Sequence, residues 1–377
     1  MSEPTYATAR EVAASVQRHF ALHLRLARDR GVTRLATEPD PDTIATMIDA
    51  AFWASLRREE GVMPKISFAF VSPDDARQPL TFESPLPLYP ASLAKLAPAV
   101  ERPGIHLGVW REDGDLRVWG TTRDLPPLCF VIEVVGSGLL VVKHRSEPFG
   151  KFVNVAVLEG DAIKIVDEAS AKIPDCPGVV KSLLGVDWQG AGQPVNVLVQ
   201  VAASMRQHGR GGAILVVPAG VDGWHESVVH PILYSVRPAY TGLSDLLSRS
   251  AHEREDHEWQ DELRRAVDAL AGLSAVDGAV VITDRYELLA FGVKITRRRG
   301  STPVERVVVT EPIEGSGAQT LTPAQLGGTR HLSAVQFVHD QRDAIALVAS
   351  QDGRCTLFRW SQHEDLVHAH RVEALLL

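Results

Sequence analysis

The chain has 377 residues, 45% hydrophobic and 23% charged, with a formal net charge of −8 at pH 7. That length exceeds a single ordinary core and predicts roughly two to three domains, and the acidic balance excludes binding of nucleic acid through bulk positive charge. The cysteines Cys129, Cys176 and Cys355 form no CxxC pair, so neither a disulfide scaffold nor a structural zinc is expected, and a reducing cytoplasm fits.

Taken in chain order, residues 10–30 predict an amphipathic helix, with Val12, Val16, Phe20, Leu24 and Ala27 at helical spacing. A second helix is expected over Pro41–Arg57, capped by Asp40 or Asp42. From Ile66 the texture changes to short β-branched runs: ISFAFVS, HLGVWRE, LRVWGTT, CFVIEVV, LLVVKHR, FVNVAVL and AIKIVDE. Gly, Pro and Asp separate them, and several alternate at period two. Residues 1–185 therefore read as an α+β region, and the glycine-containing stretch Leu183–Gly192 as a boundary.

The second half, 186–377, has a different rhythm. Pro194–His208 reads as a helix feeding a strand at Ala213–Val217, and a helix is expected near 241–250. Arg254–Leu273 carries the stripe Trp259, Leu263, Ala266, Leu270 and Leu273 on one face. A hairpin is expected from Ala279–Thr283 to Leu288–Ile295, then a strand at Arg306–Thr310 and a helix near Gly328–Phe337. Strands at Ala344–Ala349 and Cys355–Trp360 precede a polar tail. Alternating helices and strands predict an α/β domain. No secretory pattern opens the chain, and no stretch nears ~18 uninterrupted apolar residues. A cytoplasmic protein with no membrane or nucleic-acid partner is expected.

Two segments of the second half stand out. Asp277-Gly278-Ala279 precedes an apolar strand, and Gly328-Thr329-Arg330-His331 opens a helix that leads into a strand ending at Ser350. Each tripeptide or tetrapeptide alone is weak. In this order they resemble the diadenylate-cyclase (DAC, DisA-type) domain family, whose hallmarks are a DGA motif before a strand, a GTRHR motif opening a helix, and a strand ending in Ser with two acidic residues. The resemblance extends upstream to the helix and strand that enclose Gly211-Gly212-Ala213, and covers about 190–360. The N-terminal half lies outside it. That half is similar to the sensor-type regions, such as DACNV, found before cyclase domains of this kind.

The resemblance implies a mixed central sheet flanked by helices, ATP as substrate, Mg²⁺ or Mn²⁺ as cofactor, and cyclic di-AMP plus two pyrophosphates as products. It implies a homodimer or larger assembly, because each domain holds one ATP and two must face each other. By that resemblance Asp277 and Asp352 hold the metal, and Asp277, Arg330 and His331 carry catalysis. Gly278, Ala279, Thr329 and Ser350 contact the nucleotide. The residue types suit the chemistry: a carboxylate for a hard cation, an arginine fork for phosphate, and a helix N-terminus for an anion. Two positions depart from the family. Leu332 stands where a second Arg is usual, and Gln351-Asp352 replaces Glu-Glu. Losing a transition-state cation costs about 10²–10³ in rate at comparable sites. Arg297, Arg298 or Arg299 offers a substitute charge. A non-catalytic module that binds ATP or a cyclic dinucleotide is the rival reading, and a structural adaptor a third.

Other signals point to structure. Gly209-Arg210-Gly211-Gly212 runs from helix to strand, the reverse of a Walker loop, and reads as a helix C-cap. His225, Glu226 and His230 miss the spacing of a zincin helix. His363, His368 and His370 read as a surface tail, and Trp110 and Trp119 as sheet-packing residues.

Overall fold

The computed structural model describes residues 5–145, 152–185, 197–250, 253 and 257–377. It is mixed α/β, with two mixed sheets and eight α-helices among the described residues. The chain divides into two compact units, Met1–Val166 with Leu377, and Asp167–Leu376. The division falls ahead of the stretch that the sequence suggested, much of which lies outside the described residues. The reason is local. The Asp175 carboxylate accepts hydrogen bonds from Ser361 Oγ at 2.8 Å and His363 N at 3.0 Å, which ties the segment after Asp167 to the second unit.

The first unit opens with α1 (Ala7–Asp29) and α2 (Pro41–Ser55). The apolar stripe of α1 is buried as expected at Val12, Val16, Phe20, Leu24 and Ala27. Asp40 is the N-cap of α2. Its carboxylate accepts from Thr43 N at 2.7 Å, and Pro41 supplies a preset φ at the first helical position. Then follow β1 (Ile66–Phe70), β2 (Leu80–Pro87), α3 (Pro90–Val100), β3 (His106–Glu112), β4 (Asp115–Thr122), β5 (Phe130–Gly136), β6 (Leu139–Arg145), β7 (Phe152–Glu159) and β8 (Ala162–Ile165). They form one sheet in the order β2-β4-β3-β1-β5-β6-β7-β8, with β1 and β3 parallel across the α3 connection. Alternation sorts the two faces. Phe68, Phe130, Ile132, Leu140 and Val142 join Phe20, Ile44 and Met47 in the main core. Ala69, Val71, Cys129 and Val131 face the other way, under Trp119. The indole lies over Gly108, where a Cβ would come within 2.0 Å of the ring, and its Nε1 donates to Val71 O at 2.8 Å. Trp119 is thus a packing residue, as read from sequence.

No element is predicted over residues 80–100 from the sequence. Strand β2 is an exposed edge with prolines at 85 and 87 and a register shift between Thr81 and Leu86, so it shows no clean period.

The second unit contains α4 (Gly178–Leu183), α5 (Val197–His208), β9 (Gly212–Val217), β10 (Tyr234–Tyr240), α6 (Gly242–Ser248), α7 (His257–Leu273), β11 (Ala279–Thr283), β12 (Leu288–Val293), β13 (Val307–Thr310), β14 (Gln319–Leu321), α8 (Thr329–Asp340), β15 (Ile345–Ala349), β16 (Cys355–Ser361) and β17 (Leu366–Arg371). The sheet order is β10-β12-β11-β9-β15-β16-β17-β13-β14. Helix α8 buries Ala334, Val335, Phe337 and Val338 against Leu215, Ala346, Phe358 and Ala369 of the sheet. On α7 the buried face is Trp259, Leu263, Val267, Leu270 and Ala271, while Ala266 and Leu273 of the expected stripe are half-buried.

The polar tail is a correction. Residues 366–371 are an internal strand, paired with β16 on one side and β13 on the other. Val367 and Ala369 enter the core, and His368 and His370 on the opposite face are buried as well, with His370 Nδ1 2.8 Å from Thr310 Oγ1. A strand whose polar half is histidine looks hydrophilic by composition, although it alternates.

Buried imidazoles make the fold acid-sensitive. His106, 2.7 Å from Ser67 Oγ, has its pKa pushed down to about 4 by burial and by the Lys143 and Arg145 charges. The unfolded chain then binds the extra proton near the ordinary histidine value, so stability falls as pH drops below that value and goes on falling toward pH 4. Between pH 7 and pH 5 His106 accounts for about 2 kcal/mol. Denaturant unfolding at the two pH values is expected to show this loss, and His106→Asn to flatten the dependence by that amount.

Candidate functional site

A row of four paired residues crosses the middle of the second sheet. Ala279 of β11 pairs with Val293 of β12 and with Ala213 of β9, and Ala213 pairs with Val348 of β15. Because β12 and β15 run antiparallel to β11 and β9, two strand starts and two strand ends meet at one edge. The small side chains of Ala213 and Ala279 leave room there, and α8 begins beside them with Gly328 as its N-cap. The result is a cleft of about 690 Å³, lined by all four residues of the row. That volume lies within the range usual for small-molecule sites, about 300–1,000 Å³.

Every residue singled out from the two motifs lines this cleft: Asp277, Gly278, Ala279, Thr329, Arg330, His331, Ser350 and Asp352. Asp277 and the Arg330–His331 pair therefore share one site. The substituted positions do not. Leu332 is partly exposed on α8, and Gln351 turns its amide toward Arg210 O at 3.4 Å; neither lines the cleft. The basic loop is also elsewhere. Arg298 pairs with Glu226 at 2.8 Å, and its backbone N–H donates to Asp340.

The cations that the cleft does contain are Lys294, Arg330 and Arg354. Lys294 donates to the Asp277 carboxylate, and this hydrogen bond, with the Lys294 charge and a further contribution from Arg330, holds Asp277 below the usual carboxylate range. Hairpin register puts Lys294 there: once Ala279 faces Val293, the residue after the strand lies beside Gly278 and Asp277. That pairing was the available sequence signal. Arg354 comes from the tight loop between β15 and β16, closed by Ser350 N donating to Arg354 O at 2.9 Å. Its Nε lies 3.3 Å from Asp352 Oδ2, while Ser350 Oγ donates to Asp352 Oδ1. Ser350, Asp352 and Arg354 thus form one clamped rim.

Arg330 and His331 differ in kind. Arg330 extends toward Gly211, where a Cβ would stand 3.0 Å from its Nη1. Gly209, with φ +64°, ends α5 as a C-cap residue, whereas Gly211 makes space for a cleft arginine. His331 is buried edge-on to Phe358, and burial lowers its pKa against the opposing pull of Asp352, so the imidazole is neutral at pH 7. Thr329 and Arg330 occupy the first turn of α8, where backbone N–H groups lack intrahelical partners. His225 and Glu226 sit in a short 3₁₀ turn whose His225 carbonyl lies 3.0 Å from His230 Nε2, an arrangement unlike a zincin helix.

Residues 33–123 match the family model described as the probable sensor domain DACNV. The matched segment spans α2, α3 and β1 to β4 of the first unit, so the N-terminal part of the chain carries a sensor-type region. Comparison with curated proteins gave no match. Among the described residues no helix is long and apolar enough to cross a membrane.

Gly278 has a structural reason beyond approach to a ligand. Its φ is +123°, and a Cβ would lie 2.4 Å from the Gly292 carbonyl carbon. Gly278→Ala is therefore expected to cost about 1–3 kcal/mol. Gly328, with open space around it, is expected to tolerate Ala at under about 1 kcal/mol. Thermal unfolding of the two variants side by side checks the contrast.

Proposed function

We propose that the second unit is a divergent diadenylate cyclase that condenses two ATP into cyclic di-AMP and two pyrophosphates, under the influence of the sensor-type first unit. The observation that carries this reading is the convergence of both motifs on one cleft that also holds Lys294 and Arg354. The 3′-oxygen of one ATP attacks the α-phosphorus of the other. The bond from that phosphorus to the β-bridging oxygen breaks, pyrophosphate leaves, and the 3′-hydroxyl proton passes to water. A second such step closes the ring. The protein's share is positioning and charge, as in other phosphoryl-type transfers.

The roles follow from the geometry. Arg330, Lys294 and Arg354 oppose the charge of the triphosphate, and the first turn of α8 offers N–H donors to a phosphate. Thr329 and Ser350 supply hydroxyls, and neutral His331 supplies a ring nitrogen for a hydrogen bond. Ala213 and Ala279 form a small-residue floor. Asp277, kept ionised by Lys294, is a weak base, so orienting the hydroxyl and holding a cation suit it better than removing the proton. The donor set fits Mg²⁺ or Mn²⁺, which take one or two carboxylates together with substrate phosphates. Asp277 would hold the ion, and the ion would neutralise phosphate charge. Asp352 would join it on release of Arg354. One cleft takes one ATP, so the reaction needs a second copy. The edge strand β10, with Tyr234 and Tyr240 exposed and Leu233 exposed just before it, is an apolar surface suited to that contact.

Purified protein with ATP and Mn²⁺ is expected to form cyclic di-AMP, detected by chromatography. Asp277→Asn is expected to reduce the rate at least about 10²-fold. Nucleotide binding without product would leave a regulatory module, the reading that Leu332 and Gln351 favour. Absence of any nucleotide-dependent shift in melting temperature would remove both.

A further inference from the structure

We infer that His19, His23 and His144 in the first unit form a binding site for a divalent transition-metal ion of the zinc class. Among the described residues they are the one group of three or more His, Cys, Asp or Glu whose ligand atoms converge, all within 4.8 Å of one another. The inference concerns the first unit alone and stands apart from the reading of the cleft.

The placement is that of a metal site. His19 and His23 are four apart on α1, so both rings lie on one helix face, a spacing that recurs in helical zinc sites. His144 comes from β6, opposite that face. The rings of His19 and His23 stack at 4.2 Å between centroids, and those of His144 lie 5.5 Å and 5.6 Å from them. His144 is 4% exposed, and neither of its ring nitrogens has a hydrogen-bond partner of good geometry, although the Arg145 backbone influences it. A buried imidazole left so is costly unless a further group satisfies it. A metal ion is such a group, and α1 brings two more ligands of the same kind to it.

The chemistry agrees. A metal takes the neutral imidazole, the form that a buried ring favours. Three nitrogen ligands suit Zn²⁺, Co²⁺, Ni²⁺ or Cu²⁺ rather than Mg²⁺ or Ca²⁺. Zinc–nitrogen bonds of about 2.0–2.1 Å set tetrahedral ligand atoms roughly 3.4 Å apart, so the rings must close by about an ångström. His23 is half-buried and can make that adjustment by rotating its ring. Its partial exposure also leaves a fourth position open to water or a small ligand. An ion held there would clamp α1 to the strand it covers. Phe20, whose ring is 5.3 Å from Phe130 and 6.0 Å from His144, closes the apolar side.

The test uses the full chain, stripped with a chelator and titrated with Zn²⁺ and with Co²⁺. We expect one tight equivalent of Zn²⁺ per chain by calorimetry, a raised melting temperature, and visible d–d absorption of a histidine-ligated Co²⁺ centre. His23→Gln, the change least disruptive to packing, is expected to weaken Zn²⁺ binding by more than the about 10–100-fold lost with a supporting residue. His144→Gln is expected to do the same, and exposed His363→Gln to leave binding intact. Should His144→Gln fail to fold, His23→Gln and the Co²⁺ spectrum still decide. Absence of a tight equivalent, or an equivalent that His23→Gln leaves unchanged, overturns the inference.

Discussion

One constraint organises the second unit: the pairing that places Val293, Ala279, Ala213 and Val348 in a single row across four strands. Antiparallel neighbours on either side of a parallel pair bring two strand starts and two strand ends to one edge. Whatever follows or precedes those residues must then share the same space. Asp277 and Gly278 enter from before β11, Lys294 from after β12, Ser350 from after β15, and Arg330 from the helix packed against the face. The cleft is a consequence of register, and its depth comes from two alanines where larger residues would fill it.

Charge inside the cleft is arranged in pairs that leave cationic capacity in reserve. Lys294 is engaged with Asp277 and Arg354 with Asp352, while Arg330 reaches into the space that Gly211 clears. Ion pairs this exposed add little stability. On the reading proposed above, they hold side chains where a triphosphate would meet them, and its phosphates would exchange for either carboxylate. Leu332, which stands where the resembled motif has a second arginine, does not line the cleft, whereas Lys294 and Arg354 from other elements do.

The first unit solves a different problem. Its sheet is covered by α1 and α2 on one face, where His144 is enclosed, while His106 is buried on the opposite face. His106 meets Ser67 and stays neutral. His144 has the Arg145 backbone near it but no side-chain partner of good hydrogen-bond geometry, and two further histidines from α1 approach it. These three lie outside residues 33–123, the segment that matches the probable sensor domain.

Local periodicity made the covered helices and central strands legible: the α1 stripe, the Asp40 cap, β9, the β11–β12 hairpin and α8 were all readable, because one face of each meets a core. Edge strand β2 and the histidine-bearing β17 were not, since exposure in one and buried polar rings in the other hide the alternation. The two motifs singled out Asp277 and Arg330, which the fold places in one cleft. Tertiary structure alone decided that Lys294 and Arg354 join them, that Arg298 does not, and that His144 faces His19 and His23. Propensity and pattern are properties of neighbours along the chain, whereas a site is made by strand register and helix packing, which set which distant residues meet.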